Sequence, residues 1–404
     1  MRACVQGKIV KILKNANLQI ALGAAFLAVT GNGIMGPILS SLEAPMGRPI
    51  ESLSYILTVF TFAVIVFTPV LGIFADRFGR RRVLLPAIFL FGAGALIPLV
   101  DNFALILTFR ALQGIAVAGM ASLAVTLIGD LYSGDERARA MSLRSGVHSL
   151  GFAVSPIIAG ALASIDLMYP FYFFSVALPL FAYAYFRVDI EHSATNDSKW
   201  KYLKDIWDVL QRRQTWAIFY STFHVFVIIY IMLVFVPILL AKKYGLAPVG
   251  TGAVLTFFFL SAALVSVWTQ SFMEMFRDQH IIVGGFAVAG LLMILMPFVD
   301  SFAVLIAMIA LWAVAHGVSF TPVYVLASAL TPAHLRAGAV GGAFVATYLG
   351  ATASPAIFLP LYGATENVML VFIVAGIYAQ IPLLLALLHM FPVEEKPIAE
   401  IFGE

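Results

Sequence analysis

The sequence predicts an all-α membrane protein: twelve transmembrane helices in two pseudo-symmetric six-helix bundles. Three observations predict it. Of 404 residues, 62% are hydrophobic and only 11% are charged, whereas soluble domains carry about 25% charged residues. Apolar windows of about 20 residues, the length that crosses a bilayer core, recur along the chain. Segments in the first half also reappear in the second at a constant offset of 199 residues.

Taken in order, the windows fall near 17–39, 53–75, 83–100, 103–128, 139–163 and 168–187, then 215–240, 250–273, 281–299, 302–329, 337–362 and 367–391. Interior prolines (Pro69, Pro156, Pro237, Pro355) do not veto these helices, because membrane helices re-satisfy the backbone groups that proline frees. The expected organisation is a bundle over 1–187, a cytoplasmic linker over 188–214, a second bundle over 215–391 and a tail over 392–404. In the linker Trp200, Leu203, Trp207 and Leu210 recur at helical spacing among charges, which reads as an amphipathic helix lying in the membrane interface. The basic start and first apolar run exceed a signal-peptide core in length, so the segment is read as uncleaved. The single cysteine, Cys4, excludes an intramolecular disulfide and argues against a cysteine metal cluster. No cofactor or metal is expected, and no nucleotide-binding loop or nucleic-acid motif is present.

Orientation follows from counting Lys and Arg. With both termini inside, 19 of the 24 fall on the cytoplasmic side, three outside and two within helices. The positive-inside bias therefore places both termini in the cytoplasm, in a plasma (inner) membrane. The duplication is equally direct. Pro98-Leu-Val-Asp-Asn-Phe-Ala104 recurs as Pro297-Phe-Val-Asp-Ser-Phe-Ala303, and Leu150-Gly-Phe-Ala-Val-Ser-Pro156 as Leu349-Gly-Ala-Thr-Ala-Ser-Pro355. Parallel repeats of this kind place a substrate site near the bilayer midplane where the repeats meet.

The densest run of charge is Gly72-Ile-Phe-Ala-Asp-Arg-Phe-Gly-Arg-Arg-Arg-Val-Leu84, in a tight turn joining the second and third segments. It resembles the signature loop of the major facilitator superfamily, Gly-x-Leu-Ala-Asp-Arg-x-Gly-Arg-Lys-x-x-Leu, departing only at Phe74 and Arg81. The topology bias explains the arginines, but not Gly72, Asp76 and Gly79. The resemblance implies a gate in which Asp76, Arg77 and Arg80, with Asp130 at the end of the fourth segment and Arg137 beyond it, latch one conformation. Opposite charges at half-dehydrated helix mouths make contacts that can form in one state and break in another.

Two further motifs extend the resemblance. Arg110-Ala-Leu-Gln113-Gly is similar to the family's Arg-x-x-Gln-Gly. Gly151-x-x-x-Ser155-Pro156-x-x-Ala-Gly160 resembles the glycine–proline motif of the twelve-helix drug and metabolite antiporter branch, with Ser155 and Ala159 in place of glycines. Gly350, Ser354 and Pro355 repeat a shorter version. Small residues four apart let helices approach closely, and proline bends the rod. A charged group two turns inside the membrane should face a cavity or a partner rather than lipid; snorkelling to the outer interface is the other reading for Arg110.

The remaining ionisable groups that fall deep within the segments include Arg144, His148, His224 and His316, and Asn32 is the polar residue taken from the first. By the resemblance, the fourth, seventh and tenth segments line a cavity, which points to Arg110, His224 and His316 as substrate or proton residues. No Asp or Glu lies deep in any segment, so the cavity should be neutral to positive and suit a neutral or anionic amphipathic small molecule. Proton coupling would run through histidine, which titrates in the useful range, or through Asp130 and Asp76. The function implied is a monomeric secondary transporter that exports a drug-like molecule by alternating access. An importer or facilitator of a small metabolite, and a lipid flippase on the same fold, remain open. A membrane enzyme would need clustered catalytic groups at one interface, and the sequence offers none.

Overall fold

A computed structural model describes residues 13–188, 213–266, 278–329 and 336–387. Among them there is no β-strand, and eleven helices are long and apolar enough to cross a membrane. A twelfth, Ala16–Gly33, has 18 residues and carries Asn17 and Asn32. We number the twelve in chain order: α1 Ala16–Gly33, α2 Tyr55–Phe78, α3 Arg80–Gly92, α4 Phe103–Leu131, α5 Gly134–Ala163 and α6 Ala177–Arg187. Then follow α7 Arg213–Tyr244, α8 Pro248–Ser266, α9 Asp278–Leu295, α10 Phe302–Ala329, α11 Arg336–Thr365 and α12 Val368–Tyr378, the last continued by Ile381–Leu387. The amphipathic helix expected over 188–214 lies outside the described residues.

The ends of these helices have local causes. The first backbone N–H groups of a helix have no intrahelical partner, and in a bilayer water cannot serve. The Asn15 side chain accepts from the N–H groups of Asn17 and Leu18, Asn102 from those of Ala104 and Leu105, and Asn367 from those of Met369 and Leu370. The recurring Val-Asp-Asn/Ser-Phe-Ala therefore marks a helix start in each half: Asn102 precedes α4, and Ser301 precedes α10. Before each, the preceding helix tightens into a 3₁₀ turn holding the repeated proline, Ala93–Leu99 with Pro98 and Met296–Phe298 with Pro297. Pro69, Pro156, Pro237 and Pro355 all lie inside helices.

Two expectations are corrected. The first segment is not one helix over 17–39. It stops at Gly33, and a turn leads into a 3₁₀ helix at Leu39–Leu42. Glycines flank Asn32, and the Met35 N–H bonds the Asn32 carbonyl, so the carbonyl of Gly31 is left for a side chain elsewhere. Nor do Arg80, Arg81 and Arg82 sit in a loop. The join between α2 and α3 is Gly79 alone, at φ 94°, and the arginines form the first turn of α3. Only glycine enters that region without a steric penalty.

Contacts divide the chain into two compact units. One holds the described residues up to 188 with Leu246–Thr256; the other holds those from 213 to Gly245 and from Phe257 onward. Within the first, α2 runs along α4, α1 packs on α5 and α4, and α3 on α4 and α6. Within the second, α7 runs along α11, and α9 packs on α10 and α12. The α1–α5, α3–α4 and α3–α6 pairings thus return as α7–α11, α9–α10 and α9–α12, and the sequence duplication is also a duplication of packing. A methyl group built on Gly151 would lie 2.5 Å from Val29 Cγ2 and 3.2 Å from the Phe26 carbonyl; on Gly350 it would lie 2.3 Å from the Phe223 carbonyl. Residues 199 apart make the same close approach, in α5 to α1 and in α11 to α7.

Candidate functional site

Three of the residues singled out in the sequence converge in the first unit. Arg110, on α4, is wholly enclosed. Its Nε donates to the Ile56 carbonyl at 3.0 Å, and its Nη1 to the Gly31 carbonyl at 3.0 Å and to Gln113 Oε1 at 2.8 Å. Its Nη2 donates to Asn32 Oδ1 at 3.2 Å. The guanidinium lies 4.4 Å from the centre of the Phe60 ring, a cation–π contact. Gln113 passes the network on, its Nε2 donating to the Phe91 carbonyl at 3.1 Å. One arginine thus ties α1, α2 and α4 together and caps the open carbonyl end of α1. The planar fork of arginine allows this; a lysine ammonium offers a single point of charge.

A second group lies at the other end of α4. Arg80, in the first turn of α3, forms an ion pair with Asp130, and its Nη1 also donates to the Thr126 carbonyl at 3.2 Å. Arg137, on α5, packs against Gly129, and Arg77 lies 5.4 Å from the Phe78 ring. Gly72 has nothing within 4 Å of its would-be side chain. The Asp76 side chain lies outside the described residues. Tyr132, just past α4, has its phenol pKa raised above the ordinary value, first by burial and then by the Glu136 carboxylate.

The helix-5 residues serve as close contacts. Ser155 is buried against Gly33, and its hydroxyl has no hydrogen-bond partner among the described residues; the repeat-related Ser354 shares both properties of burial and an unmet hydroxyl. A methyl group built on Gly252 would collide with the Pro156 carbonyl, and one on Gly160 with the Pro248 carbonyl. Pro355 lies in α11. Arg144 and His148 are one turn apart on α5, and His148 meets Phe152 edge-on at 5.3 Å.

The remaining histidines occupy separate aromatic surroundings in the second unit. His224, on α7, is enclosed by Tyr378 of α12 at 4.7 Å, Phe286 of α9 at 4.8 Å and Tyr220 at 5.7 Å. His316 stacks between Trp312 and Phe320 along α10, with the Val225 backbone beside it. The sequence reading missed Phe60, Tyr220 and Tyr378. Tyr220 was readable from its four-residue spacing to His224; Phe60 and Tyr378 carry no local signal. Among the described residues no group of three His, Cys, Asp or Glu side chains could hold a metal ion.

Known proteins share this architecture. The family description "Major Facilitator Superfamily" matches residues 21–355. The "Bacillibactin exporter" of Bacillus subtilis (strain 168) is 34% identical over 161 residues, which is 38% of this chain and 40% of that protein. "Multidrug resistance protein 2" of the same organism is 28% identical over 164 residues, covering 40% of this chain and 41% of that protein. The chain thus spans less than half the length of these curated relatives. Among solved structures, a point mutant of the "nucleoside transporter NupG" aligns over 94% of this chain and 100% of its own with a TM-score of 0.76 at 14% identity. The "D-xylose-proton symporter" aligns over 91% of this chain and 96% of its own, with a TM-score of 0.72 at 17% identity. At such identities the likeness speaks for the fold. A family match over most of the chain, two six-helix repeats and the arginine-rich α2–α3 join agree: this chain is a multi-pass membrane protein and belongs to the Major Facilitator Superfamily.

Proposed function

We propose that the protein is a secondary transporter that exports a neutral or anionic amphipathic small molecule by alternating access, driven by protons. The names of two relatives, an exporter and a multidrug resistance protein, carry the direction of transport, and helix packing is compatible with it. The glycine–proline pattern of helix 5 is a set of backbone-close contacts, with Gly151 against the Phe26 carbonyl and Gly160 against the Pro248 carbonyl. Bulkier residues cannot occupy such contacts, so the pattern that resembles the antiporter branch has a packing reason here.

The working parts take these roles. The Arg80–Asp130 pair, with Asp76, Arg77, Gly79 and Arg137, is the latch on one conformation. The Arg110–Asn32–Gln113 network holds α1, α2 and α4 as one piece so that they move together. Protons travel by His148, His224 or His316, or by Asp130 and Asp76. The protein works as a monomer, without cofactor, in a plasma membrane, with both termini in the cytoplasm. Its two halves are residues 1–187 and 215–391.

The test is flux into proteoliposomes under an imposed pH gradient, with the full chain in known orientation and three fluorescent probes of similar size: neutral, anionic and cationic. Export of the neutral or anionic probe, abolished by a protonophore, is the expected result. Preference for the cation, or flux only in the importing direction, defeats the proposal. Unchanged flux on replacing all three histidines with glutamine removes the histidine route.

A further inference from the structure

Arg80 at the start of α3 belongs to the latch, but the residues beside it where α1 begins and α6 ends do not, and their composition is unusual. Helix α6 runs antiparallel to both α1 and α3, in step with each. Leu180 of α6 lies against Gly23 of α1, and the Tyr183 hydroxyl hydrogen-bonds Gln19 Oε1. Leu178 lies against Gly92 of α3, and the Phe181 ring is 5.3 Å from Phe89. Continuing that register brings Lys14, next to the Asn15 cap of α1, to the end of α6, where Arg187 forms the last turn. Arg81 reaches the same end, its Nη2 donating to the Tyr185 carbonyl at 2.8 Å. That carbonyl is one of the last in α6, left without an intrahelical donor. The contact orients the guanidinium and uses one of its five N–H donors.

Lys14, Arg81, Arg82 and Arg187 are exposed there, and none forms an ion pair among the described residues. The segments Lys14–Gly33, Arg80–Gly92 and Ala177–Arg187 contain no Asp or Glu at all. Beneath the four cations runs a ladder of rings. Phe89 meets Phe181, Phe181 lies 6.1 Å from Tyr185, and Tyr185 lies 5.3 Å from Phe186. Phe89 is 53% exposed, Tyr185 52% and Phe186 81%. Tyr185 is the kind of ring that a membrane–water interface selects, and the exposed Phe89 and Phe186 offer apolar surface beside it. Four cations above them, with no carboxylate on these helices to neutralise them, present oriented donors to whatever anion lies at that level.

We propose that the ends of α1, α3 and α6 form a binding site for an anionic phospholipid, its phosphate held by Arg81, Arg82, Arg187 and Lys14 and its upper acyl chains lying along Phe89, Phe181 and Phe186. Charge complementarity selects the occupant. A zwitterionic lipid would bring a positive group into a site that is already fourfold positive. A soluble anion would leave the aromatic ladder unused.

The experiment uses the purified full chain in a neutral detergent, with thermal unfolding read as phosphatidylglycerol or phosphatidylcholine is added. Phosphatidylglycerol should raise Tm and phosphatidylcholine should not, and the difference should shrink as salt is raised, because exposed charges are screened. Each basic residue near an anionic surface is worth a several-fold gain in binding, so Arg81→Gln/Arg82→Gln/Arg187→Gln should weaken phosphatidylglycerol binding by roughly tenfold or more. The matching triple lysine variant should retain most of it. If the glutamine triple does not fold, Arg82→Gln alone serves, since the Arg82 side chain is exposed and outside any ion pair among the described residues; a severalfold loss is expected. Equal stabilisation by the two lipids, a salt-independent difference, or a glutamine variant that binds phosphatidylglycerol like the parent would each overturn the proposal. So would equal stabilisation by inorganic phosphate, which would mark a site for soluble anions.

Discussion

Arg110→Met tests the innermost feature of the fold. The substitution keeps the length and apolar stem of the side chain and removes the guanidinium. Four acceptors then lose their donor: the carbonyls of Gly31 and Ile56, Gln113 Oε1 and Asn32 Oδ1. Ile56 sits in the first turn of α2, where its carbonyl keeps the intrahelical donor. Gly31 has no such reserve, because the Met35 N–H is already given to Asn32. Hydrogen bonds to a charged group are worth about 1.5–3 kcal/mol each, but they do not add when one group makes all of them. Removing one partner of a buried charged cluster destabilises by about 3–5 kcal/mol, and that range is the expected loss. Here the partners left behind are neutral, which favours the lower end. Arg110→Lys should fall between parent and Met, since an ammonium can reach one or two acceptors but cannot bridge α1 and α2 at once. The assay is unfolding in detergent followed by tryptophan fluorescence, with Asn32→Ala and the Arg110→Met/Asn32→Ala pair completing a double-mutant cycle. The cycle should return a coupling of about 1 kcal/mol or more. An Arg110→Met protein as stable as the parent, or a cycle that closes at zero, would show that the network is not what joins these helices.

Six further substitutions and a charge swap probe the close contacts and the latch. Gly114→Ala places a methyl 2.2 Å from the Phe60 carbonyl, so α2 and α4 must part and stability should drop by at least about 1–3 kcal/mol; Gly72→Ala, with nothing within 4 Å, should leave unfolding unchanged. Gly151→Ala and Gly350→Ala should both destabilise, Gly350→Ala the more, because its methyl would lie 2.3 Å from the Phe223 carbonyl whereas that on Gly151 meets the Val29 side chain at 2.5 Å and the Phe26 carbonyl at 3.2 Å; a neutral effect at either would break the symmetry argument. Gly79→Ala puts a side chain at φ 94° and should cost about 1–3 kcal/mol, visible as a lower unfolding midpoint. Asp130→Asn should barely move stability, since the Asp130 side chain is 45% exposed and solvent screens such pairs to about 0–1 kcal/mol. The same variant should slow export, and Arg80→Asp with Asp130→Arg should recover part of the rate; a charge swap no better than either single change would argue against a latch.

Much of the architecture was legible because membrane helices advertise themselves by length, and because a 199-residue repeat is hard to mistake. The helix starts before α4 and α10 were visible as a repeated motif, although their meaning as capped ends emerged only from the Asn102 hydrogen bonds. The end of α1 was misread because the apolar run continues past Gly33. Apolarity alone cannot report that Arg110, 79 residues away in sequence, takes the Gly31 carbonyl. The surroundings of His224 were illegible for a similar reason. Tyr378 lies beyond any local pattern, and the apolar faces of α7 and α12 look the same to lipid and to protein.

That last difficulty has a physical source, and it indicates which residues to read instead. In water, a helix shows its buried face by alternating apolar and polar residues. In a bilayer, the exposed face is also apolar, so that signal vanishes. What replaces it is the requirement that every polar group find a partner inside the protein. Along the membrane-embedded stretches of α1 to α4 the demands beyond a hydroxyl are few. Between Ile20 and Gly33 there is Asn32; between Phe103 and Gly129 there are Arg110 and Gln113; in α2 up to Ala75, and in α3 from Val83, there are none. Arg110 offers donors, Asn32 and Gln113 offer acceptors, and within those stretches of α1 to α4 they are the only side chains beyond hydroxyls that can do so. Their convergence is therefore a consequence of scarcity, and it could have been deduced before any coordinate was known. The two carbonyls and the Phe60 ring that complete the network could not, because every helix has carbonyls and α2 alone carries several phenylalanines.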